Sequence, residues 1–490
     1  MASVIYETVI GLEVHAQLLT KSKMFCRCSA DYASTPPNTH VCPVCMGMPG
    51  VLPTINRQAV EYTMMTALAL NSPINPHSKF DRKNYPYPDL MKGYQISQYD
   101  EPIGLKGWLN IEVDGVKKQV GITRVHLEED TAKLIHHPGL MGESYSSVDV
   151  NRAGVPLMEI VGEPDLRTPE EARQYLIKLR NILQYLGVST GNMEEGSFRC
   201  DANVSIRPMG TKELGPKVEV KNMNSFRAVF RAMEFEVKRQ IKLAEEGKKP
   251  VQETRGWVEE DAKTVSQRSK EYAHDYRYFP EPDLPPLAIQ PAWIDAVKVK
   301  LPELPEARRD RFMAQYGLPL YDANLLTESK ALAEYFESCL KLGDASAARA
   351  KAVSNWLLGE FSRLMNSANS DITQVRVKPP ELCHLIDLVQ KGNISGTSAK
   401  TVFEAMFSSG QQADDIIKQQ GLSQITDTRE VEAAAEQIIT ANPQPVADYK
   451  AGKAQAIKFL VGQLMKATRG RANATLAQEL LIKKIEGNSK

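Results

Sequence analysis

The sequence predicts an α+β protein, with an antiparallel-sheet domain first and helices from there to the end. Three observations carry this. Period-two alternation dominates residues 1 to about 222. The stretch RYFPEPDLPPLAIQP at 277–291 holds five prolines and marks a boundary. Beyond about 295 the alternation stops and helical stretches such as PELPEARRDRFMAQYG and ESKALAEYFESCLKLG take over.

In chain order, Leu12, Val14, Ala16 and Leu18 alternate with Glu13, His15 and Gln17, which makes a half-buried strand with Glu13 and His15 on one face. Val125 and Leu127 alternate with Arg124, His126 and Glu128 in the same way. Thr168-Pro169-Glu170-Glu171 opens a helix with a capping box and proline at its first position, and Gly187 stops it. Strands return in DANVSIR, where Ala202, Val204 and Ile206 are the dry face, and in KVEVK. Ser225 opens a second helix with apolar positions Phe226, Val229, Phe230, Met233, Val237 and Ile241, ending at Gly247. These readings divide the chain into a sheet domain at 1–294, a helical domain at 295–409 and an Ala- and Gln-rich helical tail domain at 410–490.

A length of 490 residues suits roughly three domains. Formal charge is zero, with 60 basic and 60 acidic residues, so any nucleic-acid surface must be a local patch. No apolar run approaches the ~18 residues of a membrane span, and the N-terminus MASVIYETVIGLEVH has neither a signal-peptide nor a transit-peptide pattern. A cytoplasmic protein without membrane attachment is expected. In that compartment closely paired cysteines read as metal ligands before disulfides.

Four of the seven cysteines form C-x-C-x13-C-x2-C: Cys26, Cys28, Cys42 and Cys45. Two short turns supplying four thiolates suit tetrahedral zinc. A four-sulfur shell leaves no open position, so the expected zinc is structural, closing a loop that contains Pro36, Pro37 and Asn38. This argues against a zinc hydrolase. No Gly-x-Ser-x-Gly elbow is present, and Cys200 reads as a packing residue. His274 reads as a hydrogen-bonded structural histidine.

The wet strand faces are rich in carboxylates and imidazoles: Glu13 and His15, then His126, Glu128, Glu129 and Asp130, then Asp201 and Asn203. Hard divalent cations prefer such oxygens. Arg82, Lys83, Arg199 and Lys221 supply cations for phosphates. No Walker or dinucleotide loop is present, so a nucleotide site would be built on the sheet. In the tail, residues 446–490 hold nine Lys/Arg against three Asp/Glu, and the loop containing Lys466, Arg469 and Arg471 suits phosphate contacts with RNA. A non-catalytic, zinc-containing RNA-binding or assembly protein is the alternative reading of these features.

The motifs VIGLEVHAQL, CPVC, DRKNYPYPDLMKGYQISQYDEPIG, HLEEDTAK, VNRAGVPLMEIV, MEEGSFRCDANVSIR, EVKNMNSFRAV, SKEYAHDYRYFPEPDLPP and DYKAGKAQAIKFLVGQLMKAT occur in this order. Together they resemble the GatB family, the B component of the tRNA-dependent amidotransferases that act on aspartyl- and glutamyl-tRNA. The resemblance implies a cradle-shaped catalytic domain, a helical domain and a tRNA-contacting tail. It implies an ATP-dependent enzyme that phosphorylates the side-chain carboxylate of Glu or Asp misacylated on tRNA, after which ammonia displaces phosphate. An amidase partner, the A component, would release the ammonia from glutamine, and a small C component would complete a heterotrimer. Carried onto this sequence, the resemblance implies Mg²⁺ around Glu13, His15, Glu128 and Glu129. It also implies that Lys83 faces phosphate or the substrate carboxylate, with Arg82 beside it, and that Asp201 belongs to the catalytic set.

Overall fold

In a computed structural model, residues 4–137, 145–269, 276–422, 428–468, 472 and 474–487 are described. His274, Arg469 and Arg471 lie outside the described residues. Contacts divide the chain into two units at Pro305/Glu306.

The first unit holds strands β1 (Tyr6–Gln17), β2 (His77–Ser78), β3 (Asp81–Asn84), β4 (Tyr94–Ser97), β5 (Gly104–Val113), β6 (Val116–Glu129), β7 (Lys133–His137) and β8 (Tyr145–Asp149). It continues with β9 (Pro156–Gly162), β10 (Phe198–Pro208), β11 (Val218–Lys221), β12 (Glu253–Val258), β13 (Lys263–Ser269), β14 (Phe279–Pro280) and β15 (Leu287–Ala288). Its helices are α1 (Arg57–Ala69), α2 (Pro169–Leu186), α3 (Phe226–Glu245) and α4 (Pro291–Lys298). Eight strands form the main sheet in the order β13-β12-β11-β10-β1-β9-β6-β5.

The expected strands are all present. One pairing departs from an antiparallel sheet: β11 and β12 run parallel. A parallel pair needs a long crossover, and α3 supplies it between the two strands.

The alternation of β1 sorts its side chains as the sequence requires. Ile10, Leu12, Val14 and Ala16 enter the core, where they join Val60 and Met64 of α1, Tyr175, Leu176, Leu179 and Leu183 of α2, and Val229 and Met233 of α3. Thr168 Oγ1 accepts from the Glu171 amide as expected, but in place of the reciprocal bond of a capping box the Glu171 carboxylate accepts from the Arg167 amide, one residue before the cap; Gly187 closes α2 in the left-handed conformation, and Ser225 Oγ accepts from the Ala228 amide. With helices covering the dry face, the other face of the sheet becomes a polar floor.

Helix α4 lies within the first of these two units. Trp293 Nε1 and Lys300 Nζ both reach the Glu61 carboxylate of α1, at 3.1 and 2.8 Å. The second unit is helical throughout its described residues and contains two apolar cores. One is built around Phe312, Phe336, Phe361 and Phe403, the other around Val431, Leu460, Leu464 and Leu481. No described helix is long and apolar enough to cross a membrane.

Candidate active site

The register across five strands decides what the floor carries. On β1, His15 pairs with Arg199 of β10 on one side and Glu159 of β9 on the other, while Glu13 pairs with Asp201. On β6, His126 pairs with Glu159. On β11, Glu219 pairs with Asn203 of β10. Paired residues point to one face, and so do residues two apart. Lys221, Asp201, Asn203, Arg199, Glu13, His15, Glu159, His126 and Glu128 therefore share the floor.

At its centre, one ring nitrogen of His15 and one carboxylate oxygen each from Glu128 and Glu159 lie within 4.8 Å of one another. His15 Nε2 is 3.6 Å from Glu128 Oε1 and 3.7 Å from Glu159 Oε2. Behind them the buried His126 places Nε2 3.0 Å from Glu159 Oε2, while its Nδ1 is buried with no hydrogen-bond partner. Burial alone would drive both carboxyls neutral. For Glu159, His126, His15 and Lys83 outweigh burial and hold the carboxyl well below the usual range. For Glu128, burial is likewise outweighed, chiefly by the His126 hydrogen bond, and the carboxyl is held down. For His126, burial opposes the charge, but Glu159 and Glu128 overcome it and raise the imidazole. The centre is thus a charged cluster in which two carboxylates and an imidazole converge, a donor set able to hold a divalent cation.

Lys83 lies within electrostatic reach of this centre, where Glu128 and Glu159 both act on its charge. It lies on β3, in the three-stranded sheet β14-β3-β4, which meets the end of β6 where Ser97 Oγ donates to Glu128 Oε2 at 3.1 Å. Burial works against the Lys83 charge, yet Glu128, Tyr278 and Glu159 outweigh it and push the amine above the usual lysine range. Its Nζ sits 5.0 Å over the Tyr276 ring and 5.7 Å over Tyr85. At the floor's edges Lys221 pairs with Asp201, and Arg199 Nη2 donates to Asp130 Oδ1 at 3.1 Å.

The structure brings together His15, Glu128 and Lys83, with Asp201 farther along the floor. It does not bring Glu13, Glu129 or Arg82 into the central group. Glu13 accepts a 2.8 Å hydrogen bond from Asn203 Nδ2. Glu129, one residue past Glu128, points to the opposite face of β6; its carboxylate pairs with Lys92 and accepts from the Ile96 amide at 2.9 Å. Arg82 is turned away from Lys83 by the same alternation. It grips Glu281 with two bonds of 2.7 and 2.8 Å and lies 4.3 Å over the Tyr94 ring. Glu129 and Arg82 instead line a separate cavity of about 220 Å³ beside Cys26 and Cys45. The member of the centre that the sequence reading missed is Glu159. Its one signal was a lone acid in the otherwise apolar strand PLMEIVG.

The four cysteine sulfurs, Cys26, Cys28, Cys42 and Cys45, also lie within 4.8 Å of one another. The Cys42 and Cys45 sulfurs are 3.9 Å apart. Four thiolates at about 2.3 Å from one ion have tetrahedral edges near 3.8 Å, so the cluster can bind a metal. Its loop is anchored from both sides. Asn38, at φ 59, exchanges hydrogen bonds with Val148, Asp149 and Val150 beside the β7–β8 hairpin. Lys23 is fully buried beneath, with Nζ donating to the His40 and Val150 carbonyls. Cys200 is buried, and burial pushes its thiol far up, as suits a packing residue. In the second unit Lys466 is exposed on the helix Gln455–Ala467.

Residues 8–295 match the family described as the GatB/GatE catalytic domain, and residues 334–485 match the GatB domain. The chain is 62% identical over 487 residues to the B-subunit of aspartyl/glutamyl-tRNA(Asn/Gln) amidotransferase from Dehalococcoides mccartyi strain CBDB1, covering 98% of this chain and 99% of that protein. It is 56% identical over 480 residues to the protein of the same name from Moorella thermoacetica, covering 98% and 100%. For the Carboxydothermus hydrogenoformans protein the figure is 55% over 480 residues, covering 98% and 99%. The chain belongs to the GatB family, the B-subunits of aspartyl/glutamyl-tRNA(Asn/Gln) amidotransferases.

Proposed function

We propose that the polar floor is the amide-forming site of a glutamine-hydrolysing tRNA amidotransferase. It converts Glu-tRNA(Gln), Asp-tRNA(Asn) or both to the cognate amides at the expense of ATP. The observation that carries this is the convergence of His15, Glu128 and Glu159, whose carboxylates act on the charge of Lys83. A side-chain carboxylate oxygen of the aminoacyl group attacks the terminal phosphorus of ATP, and ADP leaves. Ammonia then attacks the acyl carbon of the acyl phosphate; the C–O bond breaks, and phosphate departs with the proton that ammonia loses. Such chemistry needs positioning and charge neutralisation and no protein nucleophile. That agrees with a sequence that has no Gly-x-Ser-x-Gly elbow.

His15, Glu128 and Glu159 would hold Mg²⁺, which supplies neutralisation of phosphate charge when bound; two carboxylates suit that hard cation. Lys83 neutralises the oxygens of the transferring phosphoryl group. His126 acts through Glu159, fixing its charge and orientation. Asp201 holds Lys221 at the floor, where the amine can meet the outer phosphates. Glu13 and Glu129 flank the centre, with the Glu13 carboxylate engaged by Asn203 and that of Glu129 by Lys92. The cysteine cluster would hold structural Zn²⁺, with its four positions filled by sulfur. The family assignment and the buried charged centre both favour an enzyme over a non-catalytic RNA-binding protein.

This chain would work in the cytoplasm, in a heterotrimer with an amidase partner supplying ammonia and a small third protein, the A and C components of the assembly. The three-domain division remains part of the same reading: a catalytic sheet domain, a helical domain, and a tail in which Lys466, Arg469 and Arg471 contact tRNA phosphates.

The test is a transamidation assay with each misacylated tRNA, with and without the partner proteins, using glutamine or free ammonia. ATP-dependent amide formation by the complex is expected. Lys83→Met should lower it on the order of 10²–10³-fold, the range for losing one charge-stabilising group, with glutamine hydrolysis retained. Absence of ATP-dependent amide in every combination would refute the assignment.

A further inference from the structure

Beside Lys83 runs a connected wall of tyrosines that the chemistry just described does not use. Tyr99 and Tyr278 stack nearly parallel, with ring centroids 4.3 Å apart and planes 10° from one another. Tyr278 meets Tyr276 edge-on at 6.0 Å, and Tyr276 meets Tyr85 at 5.6 Å. Lys83 lies over the last two rings. The wall is close to the centre electrostatically as well. Burial, together with Glu128 and Glu159 and against Lys83, pushes the Tyr278 phenol up to about 12.

The far end of this wall is open. Tyr99 is 54% exposed, and with one face against Tyr278 it turns the other toward solvent. The pair is held firmly. The Tyr99 amide donates to Asp81 Oδ2 at 3.1 Å, and Asp81 is itself buried. On the other side, the Asn84 amide donates to the Tyr276 carbonyl at 2.9 Å, and Asn84 Nδ2 donates to the Arg277 carbonyl at 2.8 Å. Arg277, between the two rings, has φ 44, a conformation that non-glycine residues seldom adopt and that recurs at ligand-binding positions.

We propose that Tyr99, backed by Tyr278, is a stacking platform for an adenine base delivered with the substrate. The inference rests on the amide-forming reading, because that reaction brings two adenines to the floor. One is the base of ATP, and the other is the 3′-terminal adenosine that carries the aminoacyl group. Both are attached to the atoms that must reach Lys83 and the carboxylate centre. A flat, rigid aromatic face beside a cation is the usual means of holding a base that is not in a duplex.

The test uses the full complex and two fluorescent probes. One is misacylated tRNA with 2-aminopurine at its 3′ end; the other is the ribonucleoside triphosphate of 2-aminopurine. Stacking quenches either fluorophore. The wild type is expected to quench one of them. Tyr99→Ala should abolish that quench and raise the KM of the corresponding substrate about tenfold, within the range for losing one base stack. The other KM and kcat should stay within about twofold, and Tyr99→Phe should restore the quench. Quenching of the tRNA probe assigns the platform to the acceptor end, and quenching of the nucleotide assigns it to ATP. Tyr99→Leu, which keeps apolar bulk without a π face, should behave as the Ala variant and guards against misfolding. Neither KM moving, with no Tyr99-dependent quench of either probe, would overturn the proposal. The quench is read at equilibrium without turnover, so a complex that quenches yet forms no amide would count against the amide-forming reading and not against the platform.

Discussion

Glu159→Gln is expected to lower ATP-dependent amide formation on the order of 10³-fold, as loss of several kcal/mol of charge stabilisation implies, while glutamine hydrolysis by the complex continues. Glu159 touches both histidines of the centre: Oε2 is 3.0 Å from His126 Nε2 and 3.7 Å from His15 Nε2. Its removal deletes one of the three converging donors and leaves the buried His126 with Glu128 as its remaining charged neighbour, 3.8 Å away. Breaking a buried pair from one side typically costs about 3–5 kcal/mol, so stability should fall as well as activity.

The stability loss should depend on pH in a definite way. The His126 imidazole is raised above its ordinary value of about 6.5. Its contribution is therefore complete below that value and fades as pH rises through the raised one. Glu159 is held well below its ordinary value of about 4.5. Its contribution is complete above 4.5 and fades as pH falls through the lowered value. The difference between wild type and Glu159→Gln should thus be greatest between about pH 4.5 and 6.5, and should narrow at more alkaline pH. Urea unfolding across that range measures it. A difference that grows steadily up to pH 9 would contradict the pairing.

The second large effect is expected at the cysteine cluster. Cys42→Ser with Cys45→Ser should abolish metal binding by the cluster, destabilise the first unit by about 3 kcal/mol, the worth of closing a loop of roughly 15 residues, and open residues 29–41 to proteolysis. Amide formation should fall far less than in Glu159→Gln, because the cluster supplies no group to the floor. Metal analysis, limited proteolysis and the transamidation rate read the three consequences. A rate loss as deep as that of Glu159→Gln with the fold intact would make the cysteines part of the chemistry.

What the sequence displayed and what it hid divide along a physical line. Alternation is local, so β1, β6, β10 and β11 and the wet faces of each could be read directly. The cysteine spacing is local too. Strand register is not local, and it is register that sets His15 opposite Glu159 and leaves Glu13 beside Asn203. Glu159 stood in an apolar run and carried no periodic signal. Glu128 and Glu129 looked like one acidic pair, yet neighbours on a strand face opposite ways, and Arg82 and Lys83 part for the same reason. The parallel pairing of β11 with β12 follows from α3, which sequence reading located without showing where the chain re-enters the sheet.

The most direct measurement follows oxygen. Glu-tRNA or Asp-tRNA carrying ¹⁸O in the side-chain carboxylate is turned over by the complex with ATP and glutamine, and the released inorganic phosphate is analysed by mass. Transfer of the carboxylate oxygen to phosphorus at the floor predicts one ¹⁸O in each phosphate formed from fully labelled substrate, and loss of labelled phosphate in Glu159→Gln. Phosphate released without ¹⁸O while amide accumulates would contradict carboxylate phosphorylation, and with it the role assigned to this site.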